Sequence, residues 1–200
     1  MEHSTTQPTL LVVAGPTASG KTIMCTRLEK ELGFKQSVSV TTRIPRPDEI
    51  DGEHYHFVSE VEFRQKVQGG YFLEHASVHG TWYGTPWTEV TEPLSRGDCL
   101  ILTLDIAGHA ALRKFPDETI RRALVSIFIH PSKIEMIEER LRARPDHLSE
   151  ENIQTRLKNA KEEMTHRDEF DHVIINDDLD QAYREMLDIV RNHRDTQLSK

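Results

Sequence analysis

Short unbroken apolar runs alternate along this chain with longer stretches in which apolar residues recur every three or four positions. The runs at 10–14, 99–105, 123–129 and 172–175 are bounded by turn-forming or charged residues and read as buried strands. A further strand is expected at 37–42. Met24, Leu28 and Leu32 share one helical face. So do Ile134, Ile137 and Leu141, then Ile153, Leu157, Ala160 and Met164, and finally Leu179, Tyr183, Met186, Leu187 and Val190. Two more helices are expected, one ending at Arg96 before Gly97 and one running to Phe115. Gly33 stands where a left-handed cap ends the first helix. Ser132 with Glu135, and Ser149, are expected to cap the helices that follow them. The polar tail from Arg191 is expected to fray, and residues 1–9 to form a loose arm. Strands alternating with helices predict an α/β fold, a five-stranded parallel sheet flanked by helices, with ligands at the carboxyl ends of the strands.

The pattern changes between about 37 and 86. Residues 43–52 carry only loop chemistry, with Pro45, Pro47 and Gly52. Short strands are expected at 54–58, 72–79 and 81–85, beside one helix at 59–68 whose Ser59 and Glu62 form a capping box. This predicts a small antiparallel α+β lobe at 37–86, inserted into a core made of 1–36, 87–130 and 159–200. Residues 131–158 form a separate helical segment.

Composition narrows the class. The 200 residues carry a net charge of −8, which argues against nonspecific binding to nucleic acid or to a membrane surface. No apolar run approaches a membrane span, and the polar start has no secretory signal. Cys25 and Cys99 lie in apolar patterns and read as reduced thiols of a cytoplasmic protein. Nothing in the pattern sets the oligomeric state, and monomer and homodimer both stay open.

The chemistry begins at the first strand. Gly15, Pro16, Thr17, Ala18, Ser19, Gly20, Lys21 and Thr22 fit G-x-x-x-x-G-K-[ST] between a strand and a helix. In such a P-loop, backbone N–H groups and the positive end of the helix hold phosphates. Lys21 reaches the β- and γ-phosphates and Thr22 ligates Mg2+, so Mg2+ is the expected cofactor, with ATP as co-substrate. Asp105, at the end of an apolar strand, suits a Mg2+ ligand acting directly or through water, and equally an N-cap for the next helix. Arg43 and Arg46 lie in a proline-stiffened loop. Arg140 and Arg144 lie one helical turn apart, and Arg156 borders the next apolar stripe. Guanidinium groups of this kind neutralise a phosphoryl group in transfer. In the lobe, Ser39, Glu74 and Thr85 have the chemistry to read a base edge, and Tyr55 and Tyr83 that to hold a phosphate.

The stretch from Ser37 to Arg46, followed by Glu49-x-x-Gly52-x-x-Tyr55-x-Phe57-Val58, resembles the guanylate kinases. So do Phe72-Leu73-Glu74, Trp82-Tyr83-Gly84-Thr85, Leu104-Asp105-x-x-Gly108, Arg140-Leu141-x-x-Arg144 and the run Val173 to Asp178. The matches occur in order over residues 10 to 190. The resemblance implies an enzyme that moves the γ-phosphoryl of ATP to GMP or dGMP, with a core, a GMP-binding lobe and a lid. It implies that Arg43, Arg46, Tyr55 and Tyr83 bind the GMP phosphate, that Ser39, Glu74 and Thr85 read guanine, and that Glu49 supports the lobe. Lys21, Arg43, Arg140, Arg144 and Arg156 would act on the transferring group, and Asn176 would lie near the adenine.

Several positions depart from the family pattern. Thr103 stands where a second acid near the guanine is usual, Ala18 where a glycine is common, and Val40 where a small hydroxyl is usual. Ala107 replaces a frequent glutamine, and Pro145 the glycine after the lid arginine. Thr103 opens the alternative of a related P-loop kinase for another nucleoside monophosphate or a ribose phosphate. A catalytically silent protein-binding module is disfavoured because Gly15, Gly20, Lys21 and Thr22 are all present. His54, His56, His75 and His79 raise a Zn2+ site, against which exposed strand histidines are the plainer reading.

Overall fold

The computed structural model describes residues 8–46, 48–78, 80–143 and 148–198. It opens with β1 (Leu10–Ala14), every residue fully buried, and then α1 (Lys21–Leu32). Gly20 starts α1 at φ 95° without a side-chain cap, and Gly33 ends it at φ 70°, its N–H returning to Glu29 O. β2 (Lys35–Gln36), β3 (Val40–Thr41) and β4 (His56–Phe57) are two-residue strands. Next come α2 (Glu60–Gln68), β5 (Phe72–Val78), β6 (Thr81–Pro86), α3 (Thr88–Ser95) and β7 (Leu100–Thr103). The chain continues through α4 (Ile106–Arg113), α5 (Glu118–Ala123), β8 (Leu124–His130), α6 (Ile134–Arg142), α7 (Glu150–Met164), β9 (His172–Ile175) and α8 (Leu179–Leu198).

Two sheets result. The larger has the order β2-β7-β1-β8-β9, all pairs parallel. Alternation along each strand sends side chains to opposite faces. Leu11, Val13, Ile101, Ile127 and Ile174 meet α1 and α8 on one side, where Met24, Leu28, Met186 and Val190 complete the cluster. Leu10, Val12, Leu100 and Leu102 meet Val90, Leu94, Leu112 and Ile120 of α3, α4 and α5 on the other. Burial of each such side chain contributes about 1.5–3 kcal/mol before conformational entropy is set against it. The expected five-stranded parallel sheet is therefore present. No helix among the described residues is long and apolar enough to cross a membrane.

The smaller sheet, β4-β3-β6-β5, is mixed rather than antiparallel, because β3 and β4 run parallel. The strand expected at 37–42 shortens to 40–41, and a further two-residue strand, outside that expectation, precedes it. Lys35 and Gln36 pair with β7 in the large sheet, and only Val40 and Thr41 join the small one. The chain thus passes between sheets at 37–39, where a hydrophobicity pattern shows no break.

Three local expectations change. α5 forms between the helix expected to Phe115 and the strand expected from 123, where no element is expected, capped by Asp117, whose carboxylate accepts from Ile120 N. The Ser132–Glu135 box does not form: α6 begins after Lys133 without a side-chain cap, and the Ser132 N–H goes to Asp177 Oδ1 at 2.8 Å. The tail from Arg191 continues α8 as helix to Leu198. Arg191 reaches Glu31, and the His193 ring lies 3.3 Å from Ala123 O. The Ser59–Glu62 box and the Ser149 cap are both present.

Candidate functional site

The site lies where β1, β7, β8 and β9 end together. Gly15 leaves β1 at φ 137°, and a Cβ there would stand 2.0 Å from Ile129 O. Only glycine permits this approach of the loop to β8. Pro16 and Ser19 are buried, and Ser19 N donates to Pro16 O at 3.3 Å. Lys21 Nζ donates to Gly15 O at 2.6 Å and Pro16 O at 2.8 Å, which holds its charge over the loop. Gly20 sits against Asn176, whose Nδ2 would lie 2.2 Å from an added Cβ. Ala18 adopts φ 58°, a left-handed backbone that costs a residue with a Cβ about 1–2 kcal/mol.

Asn176 is buried at the end of β9, and its Nδ2 donates to Ser19 O at 2.7 Å. Its Oδ1 is buried with no hydrogen-bond partner among the described residues. Arg140 Nη2 donates to Asn176 O at 2.8 Å and Nη1 to Ala18 O at 3.3 Å. Thr17, Ala18, Lys21, Thr22, Arg140 and Asn176 line a cavity of about 590 Å3. Arg144 lies outside the described residues. Arg156 is half-buried on α7 with no hydrogen-bond or ion-pair partner among the described residues.

A second cavity, about 460 Å3, opens between α1, the sheet edge and the small lobe. Ser39, Glu49, Tyr55 and Thr103 line it, and Thr22 lines both cavities. In the lobe, Thr85 Oγ1 donates to Glu74 Oε1 at 2.6 Å and stands 3.5 Å from Ser39 Oγ. Glu74 Oε2 faces Gly108, where a Cβ would come within 2.8 Å of it. Burial pushes the Glu74 carboxyl above the ordinary carboxylate range, and the charge of Asp105 adds to this while the Thr85 bond opposes it. Arg43 Nη2 donates to Glu49 Oε1 at 2.7 Å, and Glu49 Oε2 accepts the Arg46 backbone N–H at 2.8 Å. The bond from Arg43 brings the Glu49 carboxyl down to about 2. Arg43 also lies over the Tyr55 ring, 5.5 Å from its centre, and Tyr55 and Tyr83 rings are 6.0 Å apart. The Arg46 side chain itself is exposed.

Asp105 is the N-cap of α4: its Oδ1 accepts from Gly108 N at 2.7 Å, so one of its oxygens is committed to the backbone. Thr103 lines the second cavity together with Ser39. Burial pushes the thiol of Cys25 up to about 11, with the Thr103 side chain opposing the rise. Among the described residues, no three His, Cys, Asp or Glu side chains gather as a metal site. His54 Nδ1 accepts the Ile50 N–H, and His75 packs against Phe63, Phe72 and Trp82. His79 lies outside the described residues.

Glu163 was not legible as a site residue. It is half-buried near the C-terminus of α7, and burial raises its carboxyl while Lys21 opposes the rise and Asp105 adds to it. The sequence signal was slight, an acid beside Met164 at the edge of the apolar stripe. A network with an exposed ion pair over buried Ser126 and His109 was equally hidden. Arg113 pairs with Asp171 and donates to His109 Nε2 at 3.3 Å, while Ser126 donates to Asp171 from both N and Oγ.

A P-loop at the first turn of a parallel sheet, facing a second cavity walled by an inserted lobe, defines a P-loop nucleotide-binding α/β protein. The guanylate kinase family model matches residues 7–193. The chain is 39% identical over 184 residues to a guanylate kinase of Fusobacterium nucleatum, covering 92% of this chain and 96% of that one. It is 43% identical over 174 residues to a guanylate kinase of Gluconobacter oxydans, covering 86% and 81%. The crystal structure of the Anaplasma phagocytophilum guanylate kinase superposes with a TM-score of 0.74 at 29% identity, over 94% of this chain and 87% of that one. The chain belongs to the guanylate kinase family.

Proposed function

We propose that this protein transfers the γ-phosphoryl group of ATP to GMP or dGMP, giving ADP and GDP or dGDP. Besides the family match, the observation that carries this reading is the pairing of two cavities that share Thr22. One is walled by a phosphate-holding loop, the other by Ser39 and Tyr55, with the Thr85–Glu74 pair in the same lobe. In this reading residues 37–86 are the acceptor lobe, 131–158 the lid, and the remainder the core. The two free thiols suit a reducing cytoplasm.

ATP enters with its phosphates on the N–H groups of the 15–22 loop other than Pro16, which has none, its adenine beside Asn176. Lys21, Arg140 and Arg156 balance the charge that moves between donor and acceptor, as does Arg144, which lies outside the described residues. Glu74 accepts from the guanine ring N–H and amino group, with Thr85 and Ser39 completing the base edge. Arg43, Arg46, Tyr55 and Tyr83 take the acceptor phosphate, and Glu49 orients Arg43. That phosphate is already a nucleophile, so the residues position and neutralise rather than abstract a proton. The Thr22 hydroxyl and Asp105 carboxylate are hard oxygen donors. They fit a Mg2+ that takes most of its ligands from phosphate and water, and that ion would supply charge neutralisation at the phosphates.

The test is an acceptor panel with Mg-ATP: GMP, dGMP, AMP, UMP and a ribose phosphate. Preference for GMP by a factor of about 100 or more in kcat/KM is expected, since a site with buried polar groups rejects a base that leaves them unpaired. Equal use of AMP would overturn the base assignment, and no phosphorylation of any acceptor would overturn the enzymatic one.

A further inference from the structure

We propose that Ala18 is a positioning residue whose methyl group seats the α6–α7 pair on the P-loop, holding Arg140 over the donor cavity before nucleotide arrives. The inference rests on the donor-site reading above and adds a residue to it. Ala18 is the one non-glycine residue at positive φ among the described residues. A backbone conformation that opposes a Cβ persists where its surroundings hold it. Here the surroundings are the apolar cluster of Ile137, Leu141, Ile153, Leu157 and Ala160, against which the Ala18 methyl packs. The rest of the P-loop contributes no side chain to that cluster among the described residues.

The same residue is bonded through its backbone. Ala18 O accepts from Arg140 Nη1 at 3.3 Å, and Arg140 Nη2 continues to Asn176 O at 2.8 Å. Asn176 Nδ2 returns to Ser19 O at 2.7 Å, next along the loop. The methyl contact and these three bonds form a closed circuit from the P-loop through α6 to the residue after β9 and back. Ala18, Arg140 and Asn176 all line the donor cavity. A guanidinium held in place before binding spares the complex the cost of ordering a long side chain. Glycine at 18 relieves the backbone but deletes the methyl, so it separates strain from seating.

Hydrogen exchange by mass spectrometry and steady-state kinetics on Ala18→Gly and Ala18→Ser test the proposal. In nucleotide-free Ala18→Gly, amides of α6 and α7 are expected to exchange at least fivefold faster than in the native protein, with β1 and β8 unchanged. The KM for ATP is expected to rise at least threefold with kcat altered less than twofold. Ala18→Ser keeps the Cβ and is expected to restore both. Unchanged exchange in α6 and α7 overturns the proposal, even if KM rises, because added loop flexibility alone gives that result. Failure of Ala18→Ser to restore exchange also overturns it. The exchange measurement needs no turnover, so it decides the seating contact whether or not the phosphotransfer reading stands.

Discussion

Thr85 Oγ1 donates a 2.6 Å hydrogen bond to Glu74 Oε1, and both residues are buried, Glu74 with 8% of its surface exposed. The bonds from Thr85 do not offset the water the carboxyl has lost, so burial holds it above the ordinary carboxylate range and short of donors. In the proposed reading a base edge offering two N–H groups would supply such donors, and the pair is the first place to test the choice of acceptor.

Glu74→Gln is expected to lower kcat/KM for GMP by roughly 100-fold, from the loss of a charged acceptor to two donors. The same variant is expected to be slightly more stable at neutral pH. The sign follows from the raised folded-state value. Protonated Glu74 favours the fold, so the native residue's contribution is full below the ordinary carboxylate value and is lost as pH rises through the raised one, which is where the Gln variant gains. GMP binding runs the opposite way, weakening as pH falls through that raised value. Steady-state profiles for GMP should show this acid limb in the native protein and lack it in Glu74→Gln.

Glu49 accepts both the Arg43 guanidinium and the Arg46 backbone N–H, which stiffens a loop otherwise short of regular structure. Glu49→Gln is expected to raise the KM for GMP by about tenfold, the scale of one charge-assisted bond, while changing kcat less. Because the bond from Arg43 holds the Glu49 carboxyl at about 2, the pair stays ionised throughout the working pH range. The KM ratio of variant to native protein should therefore be flat between pH 6 and 8. A ratio that varies with pH would show that Glu49 acts through a titrating neighbour.

Lys21→Ala removes the donor to Gly15 O and Pro16 O and the charge above the loop. Turnover is expected to fall by roughly 10^3-fold or more, with the circular dichroism spectrum retained. Thermal unfolding should move down modestly, because two partly buried carbonyls lose a partner at about 1 kcal/mol each. Retained turnover would remove Lys21 from the mechanism.

His109 stacks on Phe170 with ring centres 3.9 Å apart, and its Nδ1 is buried with no partner among the described residues. Burial first, and then the charge of Arg113, lower its protonation value, with Asp171 and Glu169 opposing. A histidine depressed in the fold gives its full stabilisation above its ordinary value and loses it as pH falls through the folded one. Urea unfolding should therefore show native stability declining below about pH 6.5. His109→Phe, which keeps the stack without a titrating ring, should decline less over the same range.

Much of the fold was legible because its signals are local. Leu10–Ala14 and the glycines around Lys21 are contiguous, and strand, turn and helix start are set by neighbours in the chain. The Ser59–Glu62 and Ser149 caps span three residues and were read for the same reason. Ser132 failed as a cap although its spacing was right, because Asp177 competes for its N–H from 45 residues away. Asp105 was divided between metal and cap by its sequence, and only the geometry showed its Oδ1 on Gly108 N.

The individual site residues were visible as types, while their association was not. Nothing in spacing placed Glu74 on Thr85 or brought Glu163 toward Lys21. Ala18 looked like a small departure in a loop motif, and its backbone angle and its contact with α6–α7 arise only once the helices are packed. Periodicity and short motifs record which elements form, since those depend on hydrogen bonds and burial over a few residues. Convergence of residues 85, 74 and 105, or of 18, 140 and 176, depends on the order β2-β7-β1-β8-β9 and on where the lobe leaves it. That order is a balance of many weak long-range contacts, which no single stretch of this chain encodes.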